Sequence, residues 1–165
     1  MLEHAELLRI LRYEPSTGSW TRLVEMGGHL PGTEASIIRP CGKGTLYRFV
    51  EVRKKRYKAS RLAWFYVTAR WPTEKIDHRD GNSLNDRFDN YRECTQSQNC
   101  WNAKRRVDNS SGQKGVSWDS QRGKWVAYIR TYGKVKNLGR FDSLSSAIAA
   151  RKAASQKYHG EFARD

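Results

Sequence analysis

Short runs of alternating apolar and polar residues, each closed by glycine, set the limits on what this chain can build. "SWTRLV" and "TLYRFVEV" read as strands, broken by Gly27-Gly28 and by Gly42-x-Gly44. The one long apolar element is "SRLAWFYVTARWP", which reads as a helix with Ser60 as its N-cap and Pro72 just past its end. A shorter amphipathic helix carrying Leu7, Leu8 and Leu11 opens the chain, and "YEPSTG" turns it. At 165 residues, these pieces give one compact domain or two to three very small ones, of α+β class. With 38% hydrophobic residues, six Trp and eight Tyr, each module has material for a core, although small cores are marginal.

Charge narrows the partner. The formal net charge is +14, more than solubility needs, and points to a polyanion. Residues 1–75 hold 14 Lys/Arg against 7 Asp/Glu, residues 76–111 hold 6 against 6, and residues 112–165 hold 11 against 4. A neutral island therefore lies between two basic arms. An anionic membrane would call for one basic amphipathic helix, whereas these cations alternate with aromatics in strand-like runs, which favours nucleic acid. No run of about 18 apolar residues exists, and "MLEHAELLRILRYEP" lacks the form of a secretion signal, so an intracellular, cytoplasmic protein without membrane partner is expected. Cys41, Cys94 and Cys100 are odd in number and lack C-x-x-C spacing, so no disulfide framework and no structural zinc are expected.

The neutral island, "KIDHRDGNSLNDRFDNYRECTQSQN", reads as strand "KIDH", a loop rich in Asp, Asn and Gly, strand "YRECT" and a helix over "QSQNCWNAKRR". This order resembles the HNH nuclease motif, the ββα-metal unit common in phage-encoded endonucleases. Asp77-His78 matches its first strand, Asn90 its middle Asn, and Asn99 its third position on the helix, where Asn replaces His in a well-populated subgroup. The chemistry suits phosphodiester hydrolysis, which needs a base for water and a cation to offset charge at phosphorus. His78 is the residue whose ordinary pKa suits a base near neutrality, and Asp77 and Asn99 offer hard oxygens fit for magnesium or manganese. The resemblance implies Asp77 and Asn99 as metal ligands, His78 as general base, and Asn90 fixing the loop or the histidine by backbone hydrogen bonds. Consecutive strand residues face opposite ways, so Asp77 and His78 share a site only where the strand bends or ends, and Gly81 is compatible with that. Asp86 and Asp89 read as turn or cap residues, and His4, His29 and His159 as surface or packing residues.

The segment "RYKASRLAWFYVTARWPTEKIDH" is similar to the lead-in of phage HNH proteins, with Ser60 standing where His is frequent. Arg53, Lys54, Lys55 and Arg56 form a charged run that reads as a solvated turn with a second use on DNA backbone. Beyond a linker at 107–112, residues 113–165 read as three strands and a helix, with turns at Gln121-Arg122-Gly123 and Tyr132-Gly133-Lys134 and Ser143 as N-cap. Alternation sends Trp125, Ala127 and Ile129 to one face and Lys124, Val126, Tyr128 and Arg130 to the other, while Ala147, Ala150, Ala154 and Tyr158 form the helix stripe.

That segment resembles the Apetala/ethylene-response-factor DNA-binding domain through "KGVSW", "GKWVAYIR", "LGRFDS" and "HGEFA". Carried over by position, Lys114, Lys124, Tyr128, Arg130 and Asn137 lie on the DNA face, with Arg122 at the tip of a longer hairpin. Ser117, Asp119 and Val135 stand where plant domains have Arg, and Asn137 replaces a Trp, so the target sequence is not transferable. The expected organisation is an N-terminal support segment at 1–72, the HNH unit at 73–106, the linker, and the sheet-helix domain. The expected function is a site-selective, metal-dependent endonuclease of the homing or phage-mobile type acting on double-stranded DNA. It has no obligate protein partner and is either a nicking monomer or a double-strand-cutting homodimer. A DNA-binding regulator with a decayed nuclease unit is the alternative, with an RNA-binding protein third.

Overall fold

The computed structural model describes residues 2–42, 44–103, 109 and 111–164. Among the described residues it is a mixed α/β structure of four helices and several small antiparallel sheets, divided into two units, 1–94 and 95–165.

The first unit begins with α1 (His4–Ile10), which runs directly into β1 (Leu11–Glu14). β1 pairs with β2 (Ser19–Arg22) through the register Tyr13↔Trp20. The expected helical leucine stripe is corrected here: Leu7 is buried, Leu8 is exposed, and Leu11 is already extended at φ −136°. β3 (Ser36–Cys41), β4 (Thr45–Val52) and β5 (Lys55–Lys58) form a three-stranded sheet in that order. Arg53 and Lys54 make the tight β4–β5 turn with φ of 52° and 60°.

Helix α2 (Ala59–Thr68) follows, and its N-cap is Lys58 rather than Ser60. Ser60 sits one residue inside the helix and is buried, where packing rather than capping decides its place. Ala69, in the left-handed conformation at φ 55°, stops the helix ahead of Pro72. The core is Leu7, Leu11, Trp20, Val50 and Leu62, all fully buried, with Phe65 stacked on Trp71 at 4.3 Å. Truncating Leu62 to Ala would leave a cavity there and cost about 2–5 kcal/mol. The unit ends in a hairpin of β6 (Lys75–His78) and β7 (Tyr91–Cys94), whose long loop carries a 3-10 turn at Phe88–Asn90.

The second unit starts with α3 (Gln96–Asn102). Thr95 caps it by accepting from Gln98 N–H while the Gln98 side chain accepts from Thr95 N–H. Its last turn ends at Ala103, and the expected continuation to Arg106 falls outside the described residues. The expected linker at 107–112 is also partly outside them. Ser111 is buried and donates to Gln113 O and Val116 O, and Asn109 donates to Gln113 O, so these residues are tied into the second unit.

β8 (Val116–Asp119), β9 (Lys124–Thr131) and β10 (Lys134–Phe141) form an antiparallel sheet with β9 in the middle, and α4 (Leu144–His159) packs on it. Ser143 caps α4 by accepting from Ser146 N–H at 3.1 Å. The buried stripe of α4 is rotated from the expected one, passing through Ala147, Arg151, Ala154, Ser155 and His159. Gly115 packs against this stripe: a Cβ there would lie 2.3 Å from Tyr128 O and 2.7 Å from Arg151 Nε, so glycine lets the chain pass between β9 and the buried arginine.

Candidate active site and DNA-binding face

β6 ends at His78, so Asp77 and His78 are the last residues before the chain leaves the hairpin, and both are buried. Asn90 laces the loop that follows. Its Oδ1 accepts from Asp80 N–H at 3.0 Å, its Nδ2 donates to Asp80 Oδ1 and Asn85 O, and its carbonyl accepts from Arg79 N–H. Gly81 N–H returns to His78 O at 2.8 Å, with Gly81 at φ 63°. Burial alone would raise the Asp80 carboxyl, but hydrogen bonds from Asn85, Asn82 N–H and Asn90 outweigh it and hold the pKa below the ordinary value.

Asp77 lies opposite Arg92 across the β6–β7 pair, and its Oδ2 accepts from Arg92 Nε at 3.0 Å and Nη2 at 2.9 Å. Both side chains are 7% exposed, so this is a buried ion pair. Asp86 corrects the expectation of a simple turn residue, because it is buried among donors. Tyr91 Oη reaches its Oδ1 at 2.6 Å, Arg48 Nε its Oδ2 at 3.1 Å, and His78 Nε2 lies 3.4 Å from Oδ1. Burial and the adjacent Asp86 charge push both the Tyr91 and Tyr13 hydroxyls well above their ordinary pKa, so they remain donors. Asp89 is exposed and pairs with Arg87, as a turn residue does.

A family model described as HNH endonuclease matches residues 57–100. Protein 3.8 of Escherichia phage T7 is 38% identical over 115 residues, covering 67% of this chain and 94% of that protein. The chain belongs to the family of that phage protein and carries an HNH endonuclease domain. No solved structure matches it.

The HNH match starts at Tyr57, taking in α2 ahead of the expected start at 73, and includes Asp77, His78, Asp86, Asn90 and Asn99. Asn99 lies on α3 in the second unit, half-buried, with its N–H on Thr95 O. Among the described residues no three His, Cys, Asp or Glu side chains form a metal-holding group. Cys94 is pushed up to about 11, first by burial and then by the Asp77 charge. The Asp77 carboxylate and the Asn99 side-chain amide are hard oxygen donors, a chemistry that suits a divalent cation rather than a soft one.

In the second unit, Tyr128, Arg130 and Asn137 are exposed on the sheet face away from α4, with Tyr128↔Asn137 in register. Lys124 shares that face but pairs with Asp142, and Arg122 pairs with Asp119 at 3.4 Å. Arg140, which sequence reasoning passed over, also reaches Asp119. Lys114 departs from expectation: its Nζ donates to Trp101 O and Ala103 O, capping the end of α3 instead of standing on the sheet. A cavity of about 300 Å³ in this unit is lined by Cys100, Trp101, Tyr128, Arg130 and Arg151, with no acid among its described lining residues. In the first unit, Arg53, Lys54, Lys55 and Arg56 are exposed, Arg53 pairing with Glu6 and Arg56 with Glu51. Of the remaining histidines, His159 is buried and stacks on Trp101 at 4.4 Å, and His4 bonds Tyr66 O. No helix is long and apolar enough to cross a membrane among the described residues.

Proposed function

We propose that this protein is an HNH endonuclease that hydrolyses phosphodiester bonds of double-stranded DNA with magnesium or manganese, leaving 5′-phosphate and 3′-hydroxyl ends. The observation that carries the reading is the HNH match over residues 57–100, in which Asp77 and His78 are buried together at the end of β6 above a loop laced by Asn90. His78 takes a proton from the attacking water. Asn90 holds the loop that closes beside His78, and Asp77 and Asn99 are assigned the metal by their order in the motif. The cation, when bound, offsets charge developing on the phosphate oxygens.

Selectivity is assigned to the flanks. We read residues 113–165 as an Apetala/ethylene-response-factor-like domain that lays Tyr128, Arg130 and Asn137 against DNA, since a small sheet fits the major groove. Arg53 to Arg56 add backbone contacts from the first unit. On this reading the protein is a site-selective, mobile-type nuclease whose duplex affinity comes from the basic flanks rather than from the neutral island.

One observation favours the second reading, a DNA-binding regulator: Arg92 already occupies Asp77 Oδ2. The two readings part on chelation. Duplex cleavage that needs magnesium or manganese and stops with EDTA supports the nuclease, whereas tight duplex binding without cleavage under any divalent metal supports the regulator.

A further inference from the structure

An aspartate that only shapes a turn stays at the surface and bonds its own backbone two residues on, as Asp80 does with Asn82 N–H at 2.8 Å. Asp86 does neither. It is 2% exposed and is fastened from distant parts of the first unit. Tyr13 Oη from β1 donates to its carbonyl at 2.6 Å, and Arg48 from β4 donates to its carboxylate at 3.1 Å. Gly18, at φ +79°, packs flush on its backbone, where a Cβ would meet Asp86 C at 2.4 Å. Phe88 N–H bonds Pro15 O and Ser83 Oγ bonds Leu46 O, so the loop on either side of Asp86 is pinned by the same N-terminal elements. The carboxylate fixed in this way faces His78 Nε2 at 3.4 Å.

We propose that Asp86 is a positioning residue for His78: it accepts the Nε2 hydrogen, sets the orientation and tautomer of the ring, and makes the N-terminal segment a support for the base. The proposal rests on the reading of His78 as the base of a nuclease. A carboxylate only accepts hydrogen bonds, and a neutral imidazole carries one N–H, so the nitrogen facing Asp86 bears the hydrogen and the lone pair falls on Nδ1. In the reaction a water O–H bond breaks and its proton passes to Nδ1. The water oxygen bonds phosphorus as the bond from phosphorus to O3′ breaks, and O3′ leaves with a proton from solvent. Asp86 balances the imidazolium without taking its proton, the part played by the buried aspartate of a serine protease triad. This gives the first unit a task besides DNA contact.

The test is a long-range proton–nitrogen correlation on histidine-labelled full-length protein in alkaline buffer, run beside plasmid cleavage. The wild type is expected to show neutral His78 with hydrogen on Nε2. Asp86→Asn, whose amide can turn its NH2 toward Nε2, is expected to move the hydrogen to Nδ1 and lower kcat on the order of 10²–10⁴-fold with duplex affinity unchanged. Should Asp86→Asn fail to fold, the wild-type tautomer decides alone, and Arg48→Gln should keep the Nε2–H form while lowering kcat less. A cutting enzyme with hydrogen on Nδ1 overturns this proposal alone. A protein with hydrogen on Nε2 that cuts no DNA overturns the nuclease reading and this role with it.

Discussion

Arg92 and Asp77 form the pair whose disruption is easiest to translate into a number. Their side chains are each 7% exposed and stand opposite each other across β6 and β7, joined by two hydrogen bonds of 3.0 and 2.9 Å. Arg92→Met removes the guanidinium and the two hydrogen bonds it gives the buried Asp77 carboxylate, a change that costs about 3–5 kcal/mol. For a unit of this size each kcal/mol lowers Tm by roughly 4–8 °C, so the midpoint should fall by at least ~12 °C. Replacing both charges, as Asp77→Leu with Arg92→Met, removes the desolvation cost together with the attraction and should lie near the wild type. Urea unfolding of the four members of this cycle without metal measures the coupling directly. Saturating magnesium should restore part of the loss in Arg92→Met, about 2.7 kcal/mol at 100 times Kd, because a cation on Asp77 replaces the lost one. Single variants costing under about 1 kcal/mol, as exposed pairs do, would mean that the pair is not held in a low-dielectric setting.

Gly18→Ala places a methyl 2.4 Å from the Asp86 backbone at φ +79°, and should destabilise the first unit by about 1–3 kcal/mol in thermal unfolding. The Asp80 carboxyl has a folded pKa below its ordinary 3.8, so its contribution to the loop is fully present above that value and lost as pH falls through the lower folded pKa. Amide exchange of the 79–90 loop should therefore rise in acid below about pH 4, and Asp80→Asn should abolish that dependence. If about 6–10 phosphates are neutralised by the basic arms, duplex affinity should fall by roughly 10³–10⁵ between 50 and 200 mM salt, read from a binding titration.

Elements held by local pattern were legible in the sequence. β4 spans the eight residues of "TLYRFVEV", β9 keeps the alternation that buries Ala127 and Ile129, and Ser143 caps α4 as its position implies. What escaped depends on contacts far apart in the chain. β3 contains Pro40, which argues against a strand, yet β3 is an edge of its sheet and tolerates the missing donor. The α4 stripe takes in Arg151, which packs on Gly115 some 36 residues earlier in the chain, a contact that the spacing of alanines does not reveal. Asp86 has no periodic or spacing signal at all. Its neighbours Tyr13 and Arg48 lie 73 and 38 residues away, so its surroundings looked like those of any Asn-Asp turn. The order Asp77, His78, Asn90, Asn99 was readable because motif spacing is itself a local property.

Hydrolysis of duplex DNA with His78 as base is tested by cleavage of supercoiled DNA carrying a broad target library, with magnesium or manganese, by wild type and His78→Ala side by side. Relaxed or linear product is expected from the wild type and a rate lower by about 10²–10⁴-fold from the variant, with both binding duplex alike. Equal cleavage by the two proteins, or binding without cleavage by either, would contradict it.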